Sequence, residues 1–110
     1  MMNNVSLIGR TTKDLELKDF NEGKGFYTKF TLAINRVSHK DAQPEADFIN
    51  IVAWSGVAET MCKYLKKGSQ IAITGRLCSN SYTDKDGNKR YSTEVIAENF
   101  KFLDTKQQVV

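Results

Sequence analysis

The chain is poor in the residues that build catalytic and metal sites. Among its 110 residues there is one histidine, His39, and there are two cysteines, Cys62 and Cys78. One histidine cannot complete a metal site, and the spacing of the two cysteines matches no metal-ligand motif. The sequence also lacks a glycine-rich loop of the kind that cradles phosphates. We therefore predict no catalytic residues, no metal and no cofactor, and we expect the two cysteines to be reduced and structural.

Long hydrophobic runs are also missing. No apolar stretch approaches the roughly 18 residues that span a bilayer, and Met1-Met2-Asn3-Asn4 has neither the basic nor the apolar region of a signal peptide. These absences predict a protein without a membrane partner, located in the cytoplasm. The net charge of +3 is compatible with a polyanionic ligand but does not require one.

The chain does contain a series of segments in which apolar and polar residues alternate, and this pattern predicts a mostly β domain. An extended piece, Asp14–Phe20, leads to a turn signal at Asn21–Gly25, and the only predicted helix is Val57–Leu65, followed by a glycine stop at Gly68. The predicted strands are Val5–Arg10, Phe26–Asn35, Ala46–Trp54, Gln70–Ser81 and Tyr91–Leu103. The residues predicted to form the core are Phe30, Leu32, Ile34, Ile71, Ile73, Leu77 and Val95.

The order strand, strand, strand, helix, strand, strand indicates the fold class. It predicts an all-β, five-stranded oligonucleotide/oligosaccharide-binding (OB) barrel with one helix between strands 3 and 4. A meander with an inserted helix is the alternative. Residues 1–104 are expected to form this domain and residues 105–110 a short tail without a core pattern.

The third predicted strand has an unusual distribution of aromatic residues. Side chains alternate between the two faces of a strand. Within Ala46–Trp54 the apolar residues Ile49, Ile51 and Ala53 share one face, and the other face carries Phe48, Asn50, Val52 and Trp54. Two rings kept off the core face form either a stacking surface for bases or a second packing surface against a helix or subunit.

Several sequence motifs occur in an order that resembles the bacterial single-stranded-DNA-binding protein (SSB) family. The resemblance extends from about Asn3 to Leu103, nearly the whole chain. The motifs are Asn3-Asn4-Val5-Ser6-Leu7-Ile8-Gly9-Arg10, Phe30-Thr31-Leu32-Ala33-Ile34-Asn35-Arg36, Ala46-Asp47-Phe48-Ile49-Asn50, Tyr64-Leu65-Lys66-Lys67-Gly68-Ser69 and Thr93-Glu94-Val95.

The resemblance implies an OB barrel that forms a homotetramer and wraps single-stranded DNA without chemistry, protecting it during replication, recombination and repair. It also implies that bases stack on Phe48, Trp54 and Tyr82. The residues themselves leave a dimer open, and because stacking tolerates any base or sugar they leave RNA binding open too.

Basic residues supply a second part of the predicted interface. Arginines at strand ends or outward positions, and a lysine just after the helix, are candidates for contact with the phosphate backbone. The alternative for each is a solvated surface charge. The predicted backbone contacts are Arg10, Arg36, Asn50, Lys67, Arg76 and Arg90.

Three departures from the family pattern qualify these expectations. Val37, Ser38 and His39 stand where some members carry an aromatic residue, so that His39 is a weak substitute. Ser55-Gly56 and Asn80-Ser81 stand where basic residues are common, which predicts a smaller electrostatic part of binding. The chain also ends at Lys106-Gln107-Gln108-Val109-Val110 without an acidic tip, so recruitment of partner enzymes through such a tip is not carried over.

Two rival classes of function remain. An OB domain that serves only in protein assembly would leave Phe48 and Trp54 buried in an interface, and oligonucleotides would then not quench the emission of Trp54. An enzyme is the weakest reading, because the side chains needed for catalysis are missing.

Overall fold

The computed structural model describes residues 1–20, 25–36 and 45–103. The expected turn at residues 21–24, the loop that contains His39 and the tail at residues 105–110 lie outside the described ranges. Within the described ranges, no helix is long and apolar enough to cross a membrane. The elements are β1 (Val5–Thr11), β2 (Lys18–Phe20), β3 (Gly25–Asn35), β4 (Ala46–Trp54), α1 (Ser55–Tyr64), β5 (Gln70–Thr83) and β6 (Lys89–Phe102).

Five of the strands form a closed ring of pairings. The sheet order is β1-β5-β6-β4-β3, and β1 also pairs with β3 where Arg10 lies opposite Ala33. The β4–β6 pairing is parallel and the others are antiparallel, while the short β2 adds to the far side of β3. The helix connects β4 to β5, the third and fourth strands of the ring, as predicted.

The core fills the inside of this ring. One end is covered by α1 through Ala58 and Met61, with Leu65 directly after the helix. Of the predicted core, Phe30, Leu32, Ile71, Ile73 and Val95 are buried, and Ile34 is partly buried against them.

The prediction that Leu77 belongs to the core is wrong, because its side chain is 48% exposed. Strand β1 pairs with β5 only as far as Val5, opposite Gly75. Beyond Gly75 strand β5 is no longer covered by β1, and beyond Leu77, where the β4–β6 pairing has also ended, β5 and β6 continue as a two-stranded arm. Asn3 contacts this arm through two hydrogen bonds to the backbone of Leu77, both 2.9 Å long. Alternation reports the face on which a residue lies, but not where the core ends.

A β-bulge interrupts the β5–β6 pairing within the ring, between Thr74 and Gly75. Thr74 lies opposite Asn99 and Gly75 lies opposite Ala97, so that Glu98 has no partner on β5. The extra residue reverses the alternation of β6. Val95 and Ala97 face inward before the bulge, whereas Phe100 and Phe102 pack against the core after it.

Glycine is required at the bulge because the two backbones approach closely. A Cβ atom built on Gly75 would lie 1.9 Å from the carbonyl oxygen of Ile96. That oxygen belongs to the backbone, so no rotation of a side chain can relieve the clash. Gly75 therefore sets how closely β5 and β6 pack at the bulge.

We expect Gly75→Ala to lower the free energy of unfolding by about 1–3 kcal/mol, since β6 must shift to admit the methyl group. Urea unfolding at a fixed protein concentration measures the change. Gly56→Ala is the matched control: nothing lies within 4 Å of its added Cβ, and in a helix alanine is favoured by about 0.8–1 kcal/mol. Equal stability of the Gly75 variant and the parent would contradict the assignment.

Candidate nucleic-acid interface

Strand β4 presents its two large aromatic side chains on the outer surface of the ring, as its alternation predicts. Phe48 is 66% exposed and Trp54 is 42% exposed, whereas Ile51 and Ala53 are fully buried. Val52 shares the outer face but is buried, and it lies between Lys29 of β3 and Ile96 of β6. The rings are therefore accessible in the single chain.

The ring of Trp54 is held by two other rings. Tyr27 lies opposite Trp54 on β3, with ring centroids 5.4 Å apart, and Phe20 of β2 meets Trp54 edge-on at 5.2 Å. Such offset and edge-to-face contacts are favourable arrangements for aromatic pairs. The orientation of Trp54 is thus fixed before any ligand binds.

A groove of about 410 Å³ runs beside Trp54 across the outer face. It crosses β3, β4, β6 and β5, and its floor includes the apolar side chains of Val52 and Ile96. We call it the outer-face groove. Its lining residues are Tyr27, Lys29, Val52, Trp54, Cys78, Asn80, Glu94 and Ile96.

Polar side chains converge in the outer-face groove around Glu94. The Nδ2 of Asn80 donates to Oε1 of Glu94 over 3.0 Å, and Nζ of Lys29 lies 3.7 Å from Oε2. The carboxylate is only 19% exposed, while the lysine is 58% exposed. One anionic group therefore lies in the middle of a surface that is otherwise apolar or cationic.

A second depression, of about 240 Å³, adjoins the first and shares Lys29 and Glu94 with it. Asn50 and Lys13 also line it, and the hydroxyl of Thr31 approaches Oδ1 of Asn50 at 3.4 Å. Asn50 is thus part of the same surface as Trp54.

Tyr82 lies on the β5–β6 arm, opposite Arg90, with its ring 56% exposed. Cys78 and Asn80 line the outer-face groove, and positions two apart share a face of a strand. Tyr82 and Arg76 therefore face the same way as the groove. Arg76 lies opposite Ile96, and its Nε is 3.6 Å from Oε2 of Glu98.

Arg90 is engaged at the tip of the arm. Its Nε donates to Oδ2 of Asp84 over 2.8 Å, and the backbone amides of Asp86 and Asn88 donate to Oδ1 of the same carboxylate. These hydrogen bonds, that of Arg90 above all, lower the pKa of Asp84 below its usual range. Arg90 thus orders the turn in addition to carrying a charge.

Arg36 is also bound to carboxylates, through more hydrogen bonds than Arg90 makes. Its guanidinium donates twice to Oδ1 of Asp47, over 2.9 and 2.7 Å, and once to Glu45 over 2.8 Å. Donation to the carboxylate of Asp47 raises the pKa of Arg36, and the same hydrogen bonding lowers the pKa of Asp47. Two carboxylates balance one guanidinium here, which leaves little positive charge to attract a phosphate.

Arg10 lies near the end of β1, beside the segment 66–69 that contains Lys67. Nη1 of Arg10 donates to the carbonyl of Gly68 over 2.9 Å, and the backbone amide of Lys67 donates to Asp14. Gly68 adopts a φ of +87°, which accounts for the glycine stop that the sequence predicts. The side chain of Lys67 is exposed to solvent.

Sequence reasoning missed Lys13, Tyr27, Lys29 and Glu94 as members of this surface. Alternation did place Lys29 on the outer face of its strand, and that signal could have nominated it. The meeting of Lys29 with Glu94 depends on the long-range β4–β6 pairing, which places β6 beside β4 and therefore near β3. Both cysteines are free, as expected, but Cys78 lines the groove and is not purely a core residue.

The Asp84 turn should be sensitive to acid. Because its pKa is lower in the folded state than in the unfolded state, the stabilisation is fully present above the unfolded pKa of about 3.9 and is lost as the pH falls through the folded value. We expect an NMR titration of the Asp84 carboxyl to give a pKa below that of free aspartate, and Arg90→Gln to move it upward. An unshifted Asp84 would contradict the role of Arg90.

Comparison with known proteins agrees with this geometry. The family model described as the single-strand binding protein family matches residues 2–103. A single-stranded DNA-binding protein of Clostridium tetani is 51% identical over 104 residues, covering 94% of this chain and 71% of that protein. Single-stranded DNA-binding protein 1 of Streptococcus pyogenes is 47% identical, covering 96% of this chain and 82% of its own length.

A relative of matching length is single-stranded DNA-binding protein 1 of Clostridium acetobutylicum, which is 41% identical over 110 residues and is covered over its full length. The family match, the relatives and the closed strand order with one helix confirm both the resemblance and the predicted OB fold. The chain belongs to the single-strand binding protein family.

Proposed function

We propose that this protein binds single-stranded DNA with little dependence on sequence, without catalysing a reaction, and so coats exposed strands in replication, recombination and repair. Membership of a binding family and the names of the relatives support the ligand. The proposed site joins the exposed rings of β4 to the outer-face groove and the β5–β6 arm.

The observation that carries the proposal is the exposure of Phe48, Trp54 and Tyr82 on one continuous outer face. Several exposed aromatic side chains on one face of a sheet are typical of an interaction surface. Every base has a π-face, so stacking on these rings accommodates all sequences.

Cations around the rings supply the sequence-independent part of binding. Lys29 borders the outer-face groove and Lys13 borders the depression beside it. Arg76 lies beside Ile96, and Arg10 and Lys67 extend the surface toward the end of β1. Arg90 can contribute from the arm. Arg36 remains in the proposed path, but we expect a smaller contribution from it because Asp47 and Glu45 balance its charge.

The proposal includes assembly into a homo-oligomer, a tetramer or a dimer, acting inside the cell where single strands arise. Ile8 and Leu77 leave apolar surface uncovered in the single chain, which supports a protein partner. Several outer-face grooves in one assembly would bind one strand more tightly than separate chains do. The proposal extends to RNA, because the stacking of bases on aromatic rings does not involve the sugar.

Titration of Trp54 fluorescence tests the proposal, since Trp54 is the only tryptophan. We expect oligo-dT to quench its emission, duplex DNA of equal length to leave it unchanged, and added salt to weaken the effect. No response to any oligonucleotide, with an oligomer present in solution, would instead favour the reading of the domain as an assembly module.

Truncation of the rings should weaken binding uniformly. We expect Trp54→Ala and Phe48→Ala each to reduce affinity by about 1–3 kcal/mol for all base compositions. Fluorescence anisotropy of a labelled oligonucleotide measures both, because it does not need the tryptophan. Tyr64→Ala removes an equally exposed ring from α1 and is the control expected to bind normally. Unchanged affinity of the Trp54 variant would remove that ring from the site.

A further inference from the structure

We propose that Glu94 makes the outer-face groove a site for bases rather than phosphates, and that it favours bases carrying an exocyclic amino group. This inference rests on the proposed function and specifies which part of the strand enters the groove. It is based on the position of one carboxylate among the stacking and apolar residues.

The groove has the chemistry of a base site. A base stacked beside Trp54 would rest on Val52 and Ile96, with its edge toward Glu94, Asn80 and Lys29. An apolar floor with a few convergent polar groups is typical of sites that orient a flat ligand. A volume of about 410 Å³ admits such a ligand.

The carboxylate also retains acceptor capacity. A carboxylate has about four lone-pair positions, and the described hydrogen bond from Asn80 occupies one, on Oε1. The 3.7 Å separation of Lys29 from Oε2 is an ion pair that exceeds hydrogen-bond length. An incoming amino group can therefore donate to Oε2 while both existing contacts persist.

The negative charge selects among the parts of a nucleotide. A phosphate beside the half-buried carboxylate would be repelled, so the backbone is directed toward the surrounding lysines and arginines. Cytosine and adenine present an amino group that a carboxylate accepts, whereas thymine presents the oxygen O4 at the corresponding position. The resulting preference is modest, and it is superimposed on stacking that every base provides.

The test compares oligo-dC with oligo-dT of about eight nucleotides, within the length that one OB fold binds. Binding is followed by Trp54 fluorescence in the parent protein, Glu94→Gln and Glu94→Met. We expect both variants to lower the affinity for dC relative to dT by about fivefold or more. Using the ratio cancels any general gain in affinity caused by releasing Lys29. Glu59→Gln makes the same chemical change on an exposed position of α1 and should leave the ratio unaltered.

A second measurement needs no variant. An oligomer of N4,N4-dimethylcytosine lacks the amino hydrogens, and we expect the parent protein to bind it about fivefold or more weakly than oligo-dC. An unchanged dC/dT ratio in the Glu94 variants, or equal binding of the methylated oligomer, would overturn the inference while the proposed function stands. Failure of the parent protein to bind any oligonucleotide would overturn both.

Discussion

The close approach of β5 and β6 at Gly75 is the constraint on which the rest of the molecule depends. The backbone of β6 occupies the volume that a side chain at Gly75 would fill. Glu98, which has no opposite residue on β5, lies beside this contact. The bulge lets one strand serve two purposes. Before it, β6 directs Glu94 and Ile96 to the outer face, and after it β6 directs Phe100 and Phe102 to the core. Without that change, either the groove or the core would lose its β6 residues.

The outer face combines fixed and adjustable contacts. Tyr27 and Phe20 hold the ring of Trp54, so under the proposed function little conformational freedom would be lost there on stacking. Phe48 and Tyr82 are more exposed and can adjust to the path of a strand. Around these rings most of the arginines already have carboxylate partners. Any phosphate must compete with those partners, which agrees with the smaller electrostatic part of binding inferred from Ser55-Gly56 and Asn80-Ser81.

Local patterns predicted much of this structure, and the failures share a physical cause. Alternation along Ala46–Trp54 predicted the exposure of Phe48 and Trp54, because the side-chain period of a strand depends only on the strand itself. The same pattern misplaced Leu77, since burial depends on whether β1 extends far enough to cover it. The local pattern could not predict the partners of Arg36 or the ion pair of Lys29 with Glu94 either, because these contacts depend on which strands become neighbours.

The contacts of Arg36 have a consequence for how the chain can change in evolution. Its amide donates to the carbonyl of Glu45 and its guanidinium reaches Glu45 and Asp47, so the last residues before segment 37–44 are joined directly to the first residues after it. The β3–β4 register is thereby fixed independently of the segment between them. We therefore expect substitutions between Arg36 and Glu45 to leave the geometry of the outer face unaltered as long as the contacts of Arg36 with Glu45 and Asp47 persist.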